Sequence, residues 1–240
     1  MTDKKTSLLS NGLLWFGAAV SIAEIITGTF YAPLGFEKGV LAILIGHLIG
    51  CTLLYFAGLI GAQSGLSSMS SARISFGKKG SYIFSVFNIL QLIGWTAVMI
   101  IGAAKALSVV SQSVKGFNNQ FVWCLVIGVL VIIWVLIGLK NLDKLNLFAV
   151  GGLLILTIIL SRVIFTSTIV STSSEWMSFG MAVELSVAMP LSWLPLISDY
   201  TRHAKKPKQA TLVSVLAYFF GSCWMYIIGL GATIYTGTSD

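Results

Sequence analysis

The sequence predicts an all-α integral membrane protein forming one transmembrane domain, with seven membrane-crossing helices and its N-terminus in the cytoplasm. Seven long apolar stretches account for most of the 240 residues, and about 20 apolar residues suffice for a helix to cross a bilayer's hydrocarbon core. The composition is 56% hydrophobic and 10% charged, with a mean hydropathy of +0.92. A soluble domain of this size has too little interior to hide that surface. Lys and Arg gather in alternate connecting segments, the pattern that orients membrane helices.

Helices are expected at 12–32, 39–61, 80–109, 119–139, 146–166, 180–200 and 209–235. Met1 to Asn11 is polar and no small-residue cleavage site follows it, so no cleavable signal peptide is expected. With the N-terminus inside, the inner segments hold Lys4, Lys5, Arg73, Lys78, Lys79, Lys140, Lys144, Arg202, Lys205, Lys206 and Lys208. The outer segments hold Lys38, Lys105, Lys115 and Arg162, so eleven cations face four. The positive-inside rule then places Asp240 outside and the protein in the cell's inner (plasma) membrane as a multi-pass chain. The same distribution removes the nucleic-acid reading of the +7 net charge. The charges flank apolar stretches, where membrane lipid is the partner.

Between the second and third helices, Gly65 to Gly80 (GLSSMSSARISFGKKG) is too polar to span. It predicts a short interfacial helix on the cytoplasmic side ending at Gly77. Ser167 to Ser178, with Glu175 and Trp176, predicts an outer loop or surface helix, Trp176 sitting at headgroup depth. Cys51, Cys124 and Cys223 fall inside apolar stretches without metal-ligand spacing and read as small core residues.

Two helices are expected to be discontinuous. In the first, Trp15 to Tyr31 (WFGAAVSIAEIITGTFY) concentrates small residues; in the sixth, Pro190 and Pro195 fall inside the span. Proline removes a backbone donor and clashes with the preceding turn. The two helices stand five apart, at corresponding places in an inverted five-helix repeat. Paired interruptions mark a midplane site where freed carbonyls and half-helix ends bind ion and substrate. Small-residue helix packing is the plainer alternative. The pairing favours a transporter.

Glu24 and Glu184 lie within these two helices. A carboxylate at the bilayer centre costs about 2.5–3.5 kcal/mol or more, so it faces a cavity or a partner. Glu24, just past the expected break, could accept two hydrogen bonds from an aminopyrimidine edge. The competing reading is a protonated Glu bonded to a neighbouring helix. In helix 3, Asn88, Gln91, Trp95 and Met99 share a face. Trp95 could stack on a planar ring with Gln91 reading its edge, or the set could be an interhelical clasp. Trp193 in helix 6 carries the same two readings, and the hydroxyls of Ser186 and Ser192 could reach a ligand or bond their own backbone. Asp199 and Arg202 suggest a structural or gating pair, and the lone His47 a hydrogen-bonded packing residue. No Ser-His-Asp set, paired Cys ligands, P-loop or Gly-rich nucleotide fingerprint occurs, so nothing supports an enzyme.

The run GLIGAQSGLSSMSSARISFGKKGS, the QLIGW of helix 3 and the SDYTRH after helix 6 resemble the nucleobase:cation symporter family that contains the cytosine permeases. The resemblance runs from about Gly12 to the end, and is strongest to the branch that carries hydroxymethylpyrimidine, the thiamin precursor. It implies a LeuT-type inverted-repeat fold of about twelve helices. Substrate would lie between helices 1, 3, 6 and 8, and a sodium ion between helices 1 and 8. Carried onto this sequence, the stacking aromatic matches Trp95, with Met99 one turn on, and the sodium-binding carbonyls fall at Phe16, Ala19 and Val20. The family's helix 6 aromatic falls on Pro190, a departure that Trp193 is positioned to make good. Glu24 has no carboxylate counterpart in the cytosine permeases, which implies an altered substrate. The chain stops after the seventh helix, so a truncated transporter is expected.

The sequence thus predicts an importer of a pyrimidine coupled to sodium or a proton, with no other cofactor. The rivals are a non-transporting membrane scaffold and an amino-acid carrier on the same fold.

Overall fold

Caps and glycines decide where the helices begin and end in the computed structural model, which describes residues 5–137, 142–166 and 177–236. Helix α1 (Leu8–Ala19) starts at Ser7, whose hydroxyl accepts the Ser10 N–H at 3.0 Å. It stops when the Val20 amide closes on Phe16 O at 2.9 Å. Ser21 is extended, with φ −141° and ψ 155°, and starts α2 (Ile22–Thr29) by accepting the Glu24 N–H at 3.3 Å. The two halves of this first span are bent by 46°. A short 3-10 turn (Ala32–Leu34) and Gly35, at φ 73°, lead into α3 (Phe36–Ser64). Gly65, at φ 69°, ends α3 in the left-handed region that glycine enters without steric cost.

Helix α4 (Ser68–Lys115) is interrupted at Gly77, with φ 65° and ψ −178°. A helix therefore runs from Ser68 to that kink, over the residues where the sequence predicts one. Then follow α5 (Gln120–Ile137), α6 (Leu142–Thr166), α7 (Phe179–Ser192), the short α8 (Ile197–Thr201) and α9 (Pro207–Thr236). The sixth span is broken between α7 and α8, so both discontinuities foreseen in the sequence are present. The first span starts earlier than expected because Ser7 caps it. The third runs on past 109 to Lys115. Ser167 to Trp176, Lys140 and Asp240 lie outside the described residues.

Among the described residues, four helices are long and apolar enough to cross a membrane, or five when the bent α1–α2 pair counts as one span. Gln120–Leu136 and Val150–Thr166 are shorter apolar helices. The protein is an integral membrane protein, and side chains such as Leu48, Phe56, Phe87 and Phe220 stay exposed because a bilayer, not water, is the solvent.

The chain forms two compact units. In the first, residues 1–85 with 150–240, α9 packs against α1, α2 and α3, and α3 packs against α7 and α8. Contact is closest where α2 crosses α9. A methyl group added at Gly28 would stand 2.8 Å from Tyr226 Cα, and one at Gly229 3.1 Å from Gly28 Cα. Such backbone-to-backbone approach is how membrane helices gain dispersion energy without a hydrophobic driving force.

In the second unit, residues 86–149, the outer half of α4 turns through Gly116, at φ 68°, into α5. Ser108 donates to Asn118 Oδ1 at 2.7 Å and the Trp123 indole donates to Ser111 Oγ at 3.0 Å. These bonds close the turn.

Candidate functional site

The break in the first span is built by a competition for one amide. In a continuous helix the Glu24 N–H would close on Val20 O; here it turns to the Ser21 hydroxyl. Val20, 3% exposed, then offers a carbonyl with no helical partner, beside a fully buried Ala19. Oxygen donors of this kind suit a hard monovalent cation. Of the three residues expected at a sodium site, Ala19 ends α1 and Val20 is the first residue of the break. The Phe16 carbonyl accepts the Val20 amide and has one lone pair left. Among the described residues no group of three His, Cys, Asp or Glu stands close enough to hold a metal ion.

The second broken span ends differently. The Trp193 amide closes on Pro190 O at 3.1 Å and the Leu194 amide on Leu191 O at 3.0 Å, so the helix tightens before it stops. Pro195 has no amide to continue it. Pro190 is buried on the α3 side, where a methyl at Gly50 would meet its Cβ and Cγ at 3.1 Å. It packs the two helices together. Trp193 meets Trp15 edge to face at 5.5 Å and Tyr218 at 6.3 Å. Trp15, 1% exposed, also meets Tyr200 at 5.8 Å and Tyr218 at 6.2 Å. Trp193 therefore ties the break in the second span to α1 and α9.

Glu24 is 2% exposed and both its oxygens are engaged by α9. Tyr218 donates to Oε1 at 2.8 Å and Ser222 to Oε2 at 2.7 Å. That geometry turns both Glu24 oxygens onto α9, the helix-to-helix arrangement that the sequence also allowed. Glu184, by contrast, is exposed on α7.

Gln91, Trp95 and Met99 lie on α4 within the second unit. Trp95 and Gln91 are half-buried and Met99 is 48% exposed. Their spacing puts all three on one face of a regular helix, as the sequence implied.

Two features escaped the sequence. Asn11, read as part of a polar leader, is 4% exposed; its amide donates to Thr6 Oγ1 and to Ser7 O, both at 2.8 Å. Thr6 in turn pairs by backbone with the end of the SDYTRH element, its N–H on His203 O and its O under the Lys205 N–H, both at 3.0 Å. The motif itself is a docking device. Ser198 donates to Ala57 O at 2.8 Å, Thr201 to Gly58 O at 3.2 Å, and Asp199 Oδ1 accepts the Ser68 N–H at 3.1 Å. No Asp199–Arg202 ion pair is among these contacts. Thr6, Ser10, Asn11, Leu14, Asp199, Tyr200 and His203 line a cavity of about 150 Å³ at this end of the first unit. Asp199 and His203 were visible in the SDYTRH element, but their meeting with Thr6, Ser10 and Asn11 near the start of the chain was not.

A family described as permease for cytosine/purines, uracil, thiamine and allantoin matches residues 3–239. The cytosine permease of Escherichia coli (strain K12) is 28% identical over 235 residues, covering 95% of this chain and 54% of the permease. The hydantoin permease of Microbacterium maritypicum is 25% identical over 179 residues, 74% of this chain and 36% of that one. Among solved structures, Mhp1, a nucleobase-cation-symport-1 family transporter in a closed conformation with bromovinylhydantoin bound, matches with a TM-score of 0.80 at 20% identity. That match covers 99% of this chain and 57% of Mhp1. The all-α transporter fold is thus shared with Mhp1, and the chain spans about half the length of the curated relatives it matches.

Proposed function

Because the chain belongs to the family of permeases for cytosine/purines, uracil, thiamine and allantoin, we propose that it forms part of a secondary active transporter that imports a nucleobase-like ring by cation symport. The observation that carries this reading is the pair of interrupted spans, α1–α2 and α7–α8, at corresponding places in the chain. Interrupted helices supply carbonyls and helix ends for ion and substrate where an intact helix would have satisfied them internally. The relatives are named for cytosine, purine-cytosine, vitamin B6 and hydantoin. Those are small, flat, nitrogen-bearing rings. A pyrimidine, cytosine or hydroxymethylpyrimidine, fits that class.

In this reading Trp95 stacks on the ring, Gln91 reads its edge and Met99 fills the adjacent turn. Sodium takes the carbonyls of Ala19 and Val20, with Phe16 contributing its remaining lone pair. The spans α1–α2 and α7–α8 then rock together to alternate access. By linkage, cation and substrate raise each other's affinity by the same factor.

The test is uptake of labelled cytosine and hydroxymethylpyrimidine by vesicles carrying the protein, with and without an inward sodium gradient. Saturable, gradient-driven uptake that Trp95→Ala reduces by about tenfold or more supports the reading, since base stacking is worth about 1–3 kcal/mol. Uptake equal to that of empty vesicles overturns it.

A further inference from the structure

Glu24 is one end of a longer chain of buried polar groups that the transport reading does not use. Ser222 Oγ, donor to Glu24 Oε2, is also 2.6 Å from His47 Nε2. On the other side of the imidazole, Nδ1 is 2.7 Å from Ser186 Oγ and 3.0 Å from Ile43 O. Ser186 Oγ also lies 2.8 Å from Ile43 O as donor. The chain Glu24–Ser222–His47–Ser186 thus joins α2, α9, α3 and α7. Its side chains are sealed: His47, Ser186 and Ser222 are 0% exposed. One member stands on each of the two interrupted spans.

Counting hydrogens shows what the chain can hold. Each serine has one hydroxyl proton and two neighbours that could take it. With Ser222 donating to Glu24 and Ser186 to Ile43 O, both ring nitrogens of His47 must donate, so the imidazole is a cation facing the Glu24 carboxylate through one hydroxyl. Moving one proton along the chain gives the second form of equal charge. Glu24 is then a neutral acid donating to Ser222, Ser222 donates to Nε2, and His47 keeps Nδ1–H. Removing a proton altogether gives a third form. Here His47 keeps Nε2–H, Ser186 rotates to donate to Nδ1, and the Glu24 carboxylate is left as the net charge. The Glu24–Ser222, Ser222–His47 and His47–Ser186 bonds survive in all three, while the third form gives up the Ser186 and Nδ1 bonds to Ile43 O. Only hydroxyl hydrogens turn.

From this we infer that Glu24, Ser222, His47 and Ser186 form a buried proton-binding site that takes up and releases one proton. The titratable groups that face it are Tyr31 from the turn before α3, Cys51 from α3, and Tyr218, Cys223 and Tyr226 from α9. From α7 the group that meets the chain is the Ser186 hydroxyl, Glu184 being exposed. No Lys or Arg among the described residues pairs with Glu24, so the proton is the group that neutralises it. Since α2 and α7 each hold one end, any motion that parts them from α3 or α9 breaks the chain. Proton occupancy and the packing of the broken spans are then linked. The site stands whether or not a nucleobase is the cargo.

The experiment is nitrogen NMR of ring-labelled histidine in the purified protein in lipid bilayers. The chain has two histidines, so His203→Gln leaves His47 as the sole imidazole. Nitrogen shifts separate the imidazolium, the Nδ1–H tautomer and the Nε2–H tautomer, which are the three forms above. The expected result is one transition between about pH 5 and pH 8, the range over which histidines ordinarily titrate, ending in the Nε2–H tautomer at high pH. Glu24→Gln, which keeps the shape but not the charge, moves that transition by about tenfold or more in proton activity, or removes it. One unchanged tautomer across the range overturns the inference, as does a transition that Glu24→Gln leaves in place. The readout needs no uptake, so its failure is separable from failure of the transport reading.

Discussion

Replacing Gly229 with alanine probes the closest packing in the protein. The added methyl would stand 2.9 Å from the Ile25 carbonyl carbon, nearer still to its oxygen, and 3.1 Å from Gly28 Cα. Carbon atoms rest at about 3.5–4.0 Å, so α2 and α9 must part by roughly 0.5–1 Å. Overpacking of this kind costs about 1–3 kcal/mol. The same movement stretches the Tyr218 and Ser222 bonds to Glu24 from 2.8 and 2.7 Å toward the limit of useful geometry. Each bond is worth about 1.5–3 kcal/mol when Glu24 is ionised and about 0.5–1.5 kcal/mol when it is neutral, and alanine returns at most about 1 kcal/mol of helix propensity. The net loss is about 2–5 kcal/mol. At about 2–4 °C per kcal/mol, the midpoint of thermal unfolding in detergent falls by about 4–20 °C. Gly102→Ala, where nothing lies within 4 Å, is the control and leaves the midpoint unchanged or slightly raised. Gly28→Ala, whose methyl meets Tyr226, lowers the midpoint similarly, and the double variant falls short of additivity because both methyls force one gap. If Gly229→Ala melts with the unaltered protein and the Gly102→Ala control, α2 and α9 do not touch as described.

Three further substitutions follow from the same contacts. Ser222→Ala leaves Glu24 Oε2 and His47 Nε2 without their shared partner; with about 1–3 kcal/mol for each orphaned buried group, the unfolding midpoint drops by several degrees while Ser222→Thr restores part of it. Asp199→Ala removes the acceptor at the start of α4 and costs about 1 kcal/mol, whereas Asp199→Asn retains an oxygen there and costs less; hydrogen exchange of the Ser68 amide reports the difference. Asn11→Ala frees the Thr6 hydroxyl and the Ser7 carbonyl, so the Thr6 and Lys205 amides, bonded to His203 O and Thr6 O, exchange faster while amides in α3 do not change.

Local chemistry made the interruptions legible. Ser21 is a good cap in any sequence, and Pro190 and Pro195 restrict their own backbone wherever they fall, so both breaks could be read before any packing was known. The Gly77 kink was legible for the same reason. What could not be read was partnership. Glu24 meets Tyr218 and Ser222, and His47 meets Ser186 and Ser222, across separations of 139 to 198 residues. A single sequence fixes no such pairing, and it shows only that a carboxylate inside a span must meet something. Asn11 failed in the opposite direction. Its polarity argued for water, whereas Thr6 and the Ser7 carbonyl satisfy it internally. The consequence bears on the two broken spans themselves. A break frees backbone groups and so makes a flexible point, but it leaves open which state the flexible point occupies. In this fold the state is held by distant side chains: Trp193 against Trp15 and Tyr218, and the Glu24–Ser222–His47–Ser186 chain running from one broken span to the other. Flexibility is therefore written locally and its control is written across the fold, which is why substitutions on α9, far from either break in sequence, are the ones expected to move both.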